Sequence, residues 1–274
     1  MVWRLLRVEE PENPNFNLAI EEALFRTLDC EGLIRFWRNN NTVVIGRFQC
    51  PLSEVNYDKA LELKVRVVRR FTGGGAVYHD LGNLNFTFMF KATNRDLARM
   101  FEIVGEIVSD ALKSVGVNAS FKPINDIVVG SRKVAGLAGT IRNDRVLVHG
   151  CLLVNSNIDV LSVVLNVSGE KLIDKAVGSI RERVTTLSLE ARQEVSIADV
   201  EEAILSEAKS RLGISELLEE ELTEDEARLA RDLYHEKYLS VEWLALLCKT
   251  CPLREEHNEK IRRLIEVAKP DKNG

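Results

Sequence analysis

The spacing of apolar positions predicts both helices and strands in this chain. Over residues 96–115, apolar side chains recur three and four positions apart, which predicts a long helix that ends at Gly116. Residues 84–90 instead alternate, with Leu and Phe at even positions and Asn, Thr and Met at odd positions. Such alternation predicts a strand with one face on a hydrophobic core.

The N-terminal third combines short strands with a clear helix. Helical spacing predicts a helix over 16–28, and Ser53 is a suitable N-cap for a helix that ends near Leu63. Short apolar and β-branched runs predict four strands, at residues 3–8 and 32–37, within 39–47, and at 64–70.

The C-terminal half begins with strands and ends with helices. Residues 124–154 contain three strand-like runs broken by short turns, which predict an antiparallel meander. The acidic run 216–227 is interpreted as a solvated turn and a helix start. Two capping-box spacings predict helices near 197–212 and 224–236: Ser196 with Asp199, and Thr223 with Glu226.

This order of elements favours an α+β fold with mixed, largely antiparallel sheets flanked by helices, plus a small helical C-terminal part. We expect a core over residues 1–190 and a helical part of the same domain over 191–245. Residues 246–274, rich in Lys, Arg and Glu, are interpreted as a peripheral tail.

Composition narrows the function classes. The chain has 274 residues and a formal net charge of −5, which provides no broad attraction for nucleic acid. It contains no long uncharged apolar run, so we expect neither export nor membrane spanning, but a cytoplasmic protein. The five cysteines are odd in number and mostly scattered, which is typical of reduced thiols.

Three consecutive glycines, Gly73, Gly74 and Gly75, follow a predicted strand. Their spacing matches neither a Walker A loop nor a dinucleotide fingerprint, and a strand follows them where those motifs require a helix. Successive backbone N–H groups can bind an anion, and Arg69 and Arg70 precede the loop to supply charge. The alternative is a tight hairpin, which rarely needs three glycines.

A second candidate site lies on two strands joined by a Gly-Ser turn. Asp126 begins the first strand and Lys133 lies in the second, so the turn can bring the two side chains together. A lysine in such a strand is ordinarily solvated. The small residues that follow Lys133 leave room for a ligand instead: Ala135, Gly136, Ala138 and Gly139.

Other polar residues are weaker candidates. His79 and His149 lie on predicted strands, where an isolated histidine is commonly structural. Cys151 alternates within an apolar strand and is interpreted as a buried, inert thiol. Cys248 and Cys251 form half of a zinc-binding pattern, but the chain has no second pair, so we expect no structural metal.

With these segments in place, the chain resembles the lipoate–protein ligase family. Most specific is Arg-Arg-x-x-Gly-Gly-Gly-x-Val-x-His-Asp at 69–80. The matching pieces cover most of residues 15–244 in the family's order: FNLAIEEALF, RNNNTVVIGRFQ, RRFTGGGAVYHDLGNLNFTF, NDIVVGSRKVAGLAG, HGCLLVN and LYHEKYLSVEW.

The resemblance implies a two-step reaction. ATP and lipoate, or octanoate in its place, give an acyl-adenylate and pyrophosphate. The acyl group then passes to a lysine of a lipoyl-domain protein, such as a 2-oxoacid dehydrogenase acyltransferase or the glycine-cleavage H protein. The implied catalytic residue is Lys133, which contacts phosphate and acyl carbonyl.

The resemblance also implies a set of ligand-binding residues in the core. The nucleotide is held by Arg70 and the backbone of Gly75, Ala76, Val77 and Tyr78, with Gly73 and Gly74 in the same loop. Asp126 is expected near the Mg²⁺ that ATP carries. His79, His149, Gly136 and Ala138 are expected to line the pocket, and the phenylalanine-rich strand is expected to contribute an apolar slot for the acyl chain.

After Trp243 only about 30 residues remain, fewer than the additional C-terminal domain of longer family members requires. We therefore expect a short, bipartite ligase that needs a separate small accessory subunit.

Three alternatives remain. The related octanoyltransferases act through an acyl-cysteine, but neither region where they carry it, 118–126 or 163–172, contains cysteine. Biotin ligases share the fold without the triple-glycine segment. A non-catalytic lipoate- or nucleotide-binding paralogue would not need the retained Arg70, Asp126 and Lys133.

Overall fold

The computed structural model describes residues 1–166, 180–246 and 254–268. Strands in these ranges are β1 (Val2–Leu6), β2 (Gly32–Trp37), β3 (Thr42–Ile45), β4 (Arg66–Arg69), β5 (Val77–His79), β6 (Asn83–Lys91), β7 (Ser120–Lys122), β8 (Asp126–Val129), β9 (Arg132–Arg142), β10 (Arg145–Leu153) and β11 (Glu216–Glu219). The helices are α1 (Pro14–Thr27), α2 (Pro51–Glu54), α3 (Tyr57–Glu62), α4 (Leu97–Ser114), α5 (Ile158–Val164), α6 (Leu187–Ala191), α7 (Ile197–Leu212), α8 (Glu224–Leu233), α9 (Val241–Leu244) and α10 (Arg254–Ala268), and a π-helical turn (Tyr234–Tyr238) follows α8.

The strands form two sheets. The larger has eight strands in the order β11-β1-β2-β6-β10-β9-β8-β7, and the smaller has three in the order β4-β3-β5. Only β11, β1 and β2 pair in parallel in the large sheet, and β3 pairs in parallel with β4 in the small one. The predicted α+β fold with mixed, largely antiparallel sheets is therefore confirmed.

The central strands of the large sheet are buried on both faces. Phe86 and Phe88 of β6 point into a core shared with α4 and α7, while Met89 points into a second core shared with α1. Both phenylalanines are fully buried, which stabilises the fold by about 1.5–3 kcal/mol each. The opposite face of β6 carries Asn83, Asn85 and Thr87, also buried, and this polar face contributes to the site described below.

The small sheet lies between two cores. Val44 and Val68 contact the core of α1, while Val43 and Val67 contact a third core that includes residues of α3, α5 and α10. Helix α1 is thus packed between the two sheets, and Phe71, in the loop that follows β4, belongs to the same core.

Several local predictions are confirmed. The meander of β8, β9 and β10 is antiparallel, and α4 ends just before Gly116. Thr223 and Glu226 form a complete capping box, and α7 occupies the predicted residues, although Ser196 makes no side-chain capping bond.

Other local predictions are wrong. Ser53 does not cap a helix; two short helices occupy this region, and Asn56 caps the second by accepting a hydrogen bond from the Lys59 N–H. The first part of the acidic run 216–227 is strand β11, which completes the large sheet beside β1.

The C-terminal segment is partly buried. The sequence pattern predicted a peripheral tail from residue 246, but Ile261 and Leu264 of α10 are fully buried in the third core. Cys248 and Cys251 lie outside the described residues. No helix in the described ranges has the length and apolar content needed to cross a membrane.

Candidate active site

A cavity of about 570 Å³, open to solvent, lies where the glycine loop meets the large sheet. The lining residues come from α1, both sheets and the glycine loop: Leu18, Trp37, Val44, Arg70, Gly75, Ala76, Val77, His79, Asn85, Asn125, Lys133, Gly136, Leu137, Ala138, His149, Gly150 and Cys151.

Arg70 holds the glycine loop in place. Its guanidinium donates to the carbonyl oxygens of Gly73 (2.6 and 3.1 Å), Gly75 (2.8 Å) and Val44 (3.2 Å). Burial lowers the pKa of Arg70 to about 10, which still leaves the group charged at neutral pH. The loop is therefore organised around a buried positive charge.

The three glycines have different surroundings. Gly74 has φ of +90°, and a β-carbon there would lie 2.8 Å from the Arg70 Nη2 atom. A β-carbon on Gly75 would meet no atom within 4 Å, so this residue borders open space. In the part of the chain that the structure describes, the N–H groups from Gly73 to Ala76 donate no hydrogen bond. Such unused donors favour the anion-binding interpretation.

Arg69 does not serve the loop, contrary to expectation. Its side chain is buried on the other side of β4 and donates to the carbonyl oxygens of Gly46, Arg47, Trp243 and Leu244 at 2.6–2.9 Å. Because side chains alternate along a strand, two adjacent arginines point to opposite faces. Arg69 therefore fixes the segment 46–47 to the C-terminal part.

Lys133 and Asp126 form an ion pair at the cavity. Lys133 Nζ lies 2.7 Å from Asp126 Oδ1, and each side chain is 37% exposed. The β8–β9 hairpin brings them together across an irregularity in its register, as the Gly-Ser turn predicted. A β-carbon on Gly136 would lie 2.6 Å from Lys133 Nζ, so the glycine leaves the space that the ammonium occupies.

A buried network connects α1 to the glycine loop. His149 Nδ1 lies 2.9 and 3.0 Å from the two Glu21 carboxylate oxygens, and its Nε2 lies 2.9 Å from Thr72 Oγ1. Thr87 also donates to Glu21, at 2.7 Å. Burial raises the pKa of Glu21, but the favourable interactions with His149 and Thr87 outweigh it and hold the pKa below its usual value. Glu21 is thus an anion, and His149 Nδ1 donates to it.

His79 lines the first cavity and carries a buried donor that is not used. The side-chain amides of Asn39 and Asn85 donate to its Nδ1, at 3.2 and 3.4 Å, which leaves the proton of the neutral ring on Nε2. That Nε2 atom is buried and has no partner among the described residues. Burial lowers the pKa of His79 to about 3, with smaller contributions from the charges of Arg70 and His149.

A second cavity of about 460 Å³ adjoins the first and shares five lining residues with it: Ala76, Val77, Lys133, Gly136 and Cys151. Its walls are mostly apolar and include residues from β5, β9, β10 and α5: Ala76, Val77, Tyr78, Ala135, Cys151, Leu153, Leu161, Leu165 and Val184. The Lys133 ammonium thus lies at the junction of the two cavities.

Cys151 borders both cavities but is poorly suited to nucleophilic chemistry. Its thiol donates to Asn83 Oδ1 at 2.7 Å, and burial raises its pKa to about 12. A thiol with this pKa carries almost no thiolate at neutral pH.

The site suits a metal ion only in a limited way. In the ranges that the structure covers, no group of three or more His, Cys, Asp or Glu side chains could hold one. Asp126 has a second carboxylate oxygen besides the one that pairs with Lys133. One carboxylate is typical of a Mg²⁺ ion whose other ligands are phosphate oxygens and water.

The structure brings most of the predicted site residues together. Ten of them border one of the two cavities: Arg70, Gly75, Ala76, Val77, Tyr78, His79, Lys133, Gly136, Ala138 and His149. Asp126 pairs with Lys133, while Gly73 and Gly74 belong to the glycine loop but line neither cavity.

Several lining residues were missed, and one expectation is wrong. The phenylalanines of β6 do not form the slot, because they point into the opposite core; Asn85 alone lines the cavity from that strand. The apolar walls come from Leu18, Trp37, Val44 and Leu137. The sequence showed the polar face of β6, but only the structure shows that Asn83, Asn85 and Thr87 on this face are buried.

Comparison with known proteins places this geometry in context. Residues 13–209 match the family model described as the lipoyl protein ligase A/B catalytic domain. The chain is 37% identical, over 255 residues, to lipoate-protein ligase A subunit 1 of Thermoplasma acidophilum, covering 89% of this chain and 96% of the relative. It is 42% identical, over 194 residues, to lipoate-protein ligase A of Psychrobacter cryohalolentis, covering 70% of this chain and 56% of that protein.

Solved structures agree with these matches. A bi-partite lipoate protein ligase from T. acidophilum, described together with its E2 lipoyl domain, superposes with a TM-score of 0.85 at 37% identity, covering 90% of this chain and 98% of that one. A putative lipoate protein ligase from T. acidophilum with bound lipoic acid gives 0.81 at 34% identity, and a lipoate-protein ligase A bound with ATP gives 0.82 at 35%; each match covers 90% of this chain and 100% of the other. The chain therefore belongs to the lipoyl protein ligase A/B catalytic domain family.

Proposed function

We propose that this chain is a lipoate–protein ligase. It activates lipoate, or octanoate, with ATP to an acyl-adenylate and transfers the acyl group to a lysine of a lipoyl-domain protein. The observation that carries the proposal is the Lys133–Asp126 ion pair at the junction of two cavities. The ATP-bound and lipoic-acid-bound relatives support the choice of substrates.

The two cavities divide between the two substrates. The first, with Leu18, Trp37 and Val44 in its walls, receives the acyl chain, and the second receives the nucleoside against Leu153 and Leu161. The carboxylate of the acid and the α-phosphate of ATP then meet beside Lys133.

Activation brings two anions together, so positive charge has to offset their repulsion. A carboxylate oxygen attacks the α-phosphorus, an acyl–phosphate bond forms, and pyrophosphate leaves. Lys133 donates to the developing charge, and the unused N–H groups of the glycine loop bind phosphate oxygens over the buried Arg70 charge. Mg²⁺, carried by ATP beside Asp126, would neutralise further phosphate charge.

Transfer uses the same lysine. The amine of the acceptor attacks the acyl carbonyl, Lys133 stabilises the oxyanion, and AMP leaves as the carbon–nitrogen bond is completed and the amine loses a proton. His79 Nε2, a buried donor without a partner in the described chain, is available to orient the ligand.

A transferase that forms an acyl-cysteine is less consistent with the site. Among the described residues, Cys151 is the cysteine that borders both cavities, and its pKa of about 12 makes it a weak nucleophile.

The proposal includes partners. The match to a protein named subunit 1, and to a bi-partite ligase, supports a separate accessory subunit that adenylation requires. The acceptors we propose are lipoyl domains of 2-oxoacid dehydrogenase acyltransferases and the glycine-cleavage H protein, in the cytoplasm. Residues 1–190 then form the catalytic core, and residues 191–245 are part of the same domain.

The test combines two assays. Pyrophosphate release is measured with ATP and lipoate, with and without the accessory subunit, and the acceptor is then weighed by mass spectrometry. We expect Lys133→Ala to lower the turnover by about 100-fold or more while the protein stays folded. Lys113→Ala, on an exposed face of α4, is the matched control and should retain full turnover. Unchanged turnover in Lys133→Ala would contradict the assignment.

A further inference from the structure

The two most exposed large apolar side chains of the described residues lie in segments that adjoin the first cavity. Phe48 is 70% exposed and Ile124 is 74% exposed. Exposed apolar side chains are common singly, so the case for a contact surface depends on how these two are held and on what surrounds them.

The position of Phe48 is fixed by the backbone around it. Gly46 and Gln49 close a turn through two hydrogen bonds of 3.1 and 2.8 Å, and the Arg47 N–H donates to the Thr72 carbonyl at 2.8 Å. The ring lies beside the glycine loop, since a β-carbon on Gly73 would be 3.8 Å from it. Phe48 is therefore held out into solvent by an ordered turn.

Ile124 is close in sequence to the ion pair. It lies in the turn between β7 and β8, two residues before Asp126. The next residue, Asn125, lines the cavity and exchanges hydrogen bonds of 2.6 and 2.7 Å with Leu137 of β9.

Each apolar side chain has a cation near it in sequence. The Arg47 guanidinium lies 5.6 Å from the centre of the Phe48 ring, and Lys122 lies two residues before Ile124. Within the described part of the chain, neither cation has a carboxylate within ion-pair distance. Two unpaired cations on a chain of net charge −5 favour a partner with carboxylates at the matching positions.

The chemistry requires a partner at this place. A lysine side chain reaches at most about 6 Å from its Cα, so the backbone of the acceptor has to lie at the cavity rim while its amine attacks beside Lys133. Groups on the rim then touch the acceptor and not the acyl-adenylate.

We propose that Phe48 and Ile124, flanked by Arg47 and Lys122, form the docking surface for the protein whose lysine is modified. The proposal rests on the ligase function proposed above. The partner that fits presents its lysine on an exposed turn, with apolar side chains and carboxylates close to it. The docking surface contributes to recognition of the acceptor and leaves adenylate formation to the residues inside the cavity.

The test separates docking from chemistry by using two nucleophiles. The full chain with its accessory subunit is given preformed lipoyl-AMP, and transfer is measured to the acceptor domain and to hydroxylamine, which is too small to need docking. In Phe48→Ser and Ile124→Ser, we expect the KM for the acceptor to rise on the order of tenfold, as for loss of an apolar interface anchor.

The rate with hydroxylamine should stay within about twofold of the wild-type rate, which also shows that the variants fold. Leu218→Ser, on the opposite edge of the large sheet and 40% exposed, is the control and should change neither.

Charge reversal gives an independent readout. Arg47→Glu and Lys122→Glu should raise the KM for the acceptor and make it less sensitive to salt, because the attraction between rim and acceptor is lost. Arg142→Glu is the matched control: this exposed arginine lies nine residues from Lys133 along β9, a distance of about 30 Å.

Three results would overturn the proposal. The first is an unchanged KM for the acceptor in the Phe48 and Ile124 variants, and the second is a rate with hydroxylamine that falls as much as the rate with the acceptor. The third is a variant that loses activation by the accessory subunit but keeps its affinity for the acceptor. Direct titration of the acceptor domain onto the full chain without ATP separates this proposal from the ligase function. Binding to the wild type that is weakened in Phe48→Ser supports docking even if no pyrophosphate is released.

Discussion

His79 should make the stability of this protein depend on pH. The ring is 3% exposed, and burial lowers its pKa to about 3, whereas an unfolded chain has a histidine pKa near 6.5. Between these two values the unfolded chain binds a proton that the folded chain does not. The free energy of unfolding should therefore fall as the pH is lowered through 6.5.

The magnitude follows from the difference in proton binding. From pH 7.5 to pH 5.5, uptake of one proton by the unfolded state lowers the free energy of unfolding by about 1.4 kcal/mol. Glu21 contributes at a more acidic pH, because its pKa in the folded protein lies below its usual value and its contribution is lost only as the pH falls through that value. The interval from pH 7.5 to 5.5 thus reports mainly on histidine.

The assay is urea unfolding at pH 7.5, 6.5 and 5.5 and constant ionic strength, on the wild type and on His79→Gln. The variant should be less stable at pH 7.5, since it loses the hydrogen bonds from Asn39 and Asn85, but it should lose about 1.4 kcal/mol less on acidification than the wild type. His235→Gln controls for removal of a histidine from an exposed position. Equal pH dependence in the wild type and in His79→Gln would refute the reasoning.

Three further substitutions test the glycine loop, the ion pair and the C-terminal attachment. Gly75→Leu should abolish binding of a non-hydrolysable acyl-adenylate analogue in a calorimetric titration without loss of stability, and wild-type affinity in this variant would contradict the site. Gly74→Leu should in addition lower the free energy of unfolding by about 1–2 kcal/mol, because the φ of Gly74 is +90°. Gly136→Val should displace the Lys133 ammonium, because the new β-carbon would lie 2.6 Å from its Nζ atom. The rate of pyrophosphate release should fall by about tenfold or more while the melting temperature stays unchanged. Full activity would show that the position of the ammonium is unimportant. Arg69→Met should lower the free energy of unfolding in urea by about 3 kcal/mol, because buried carbonyl groups lose their donor. Arg228→Met, whose ion pair is exposed, should lower it by less than about 1 kcal/mol. Similar losses in the two variants would count against a structural role for Arg69.

The sequence predicts best where one local signal decides the outcome. Helix α4 follows from its apolar period, and α8 from the capping box of Thr223 and Glu226. The proximity of Asp126 and Lys133 follows from a short turn between two strands. The register pairs Asp126 with Gly136 and Lys133 with Val128, so the long lysine side chain spans the offset. These predictions needed no knowledge of the rest of the fold.

Features that depend on distant contacts were missed. Strand β11 has an acidic sequence that resembles a solvated turn, and only its pairing with β1 makes it a strand. The cavity walls combine residues far apart in sequence, such as Leu18 and Leu137, and no local pattern relates them. The different roles of Arg69 and Arg70 depend on which face of β4 the cavity occupies.

The position of β1 has a consequence for how the protein is made. This strand comes before every other strand described, and one of its two neighbours, β11, lies more than 200 residues later; Met1 and Ser215 are 214 positions apart and hydrogen-bonded. At ordinary rates of translation, about 5–20 residues per second, the ribosome needs about 10–40 seconds to synthesise the intervening chain. During that time β1 can pair with β2 but keeps one edge open. An open strand edge is a template for incorrect pairing, so nascent chains that stop before residue 219 should be the species most dependent on chaperones.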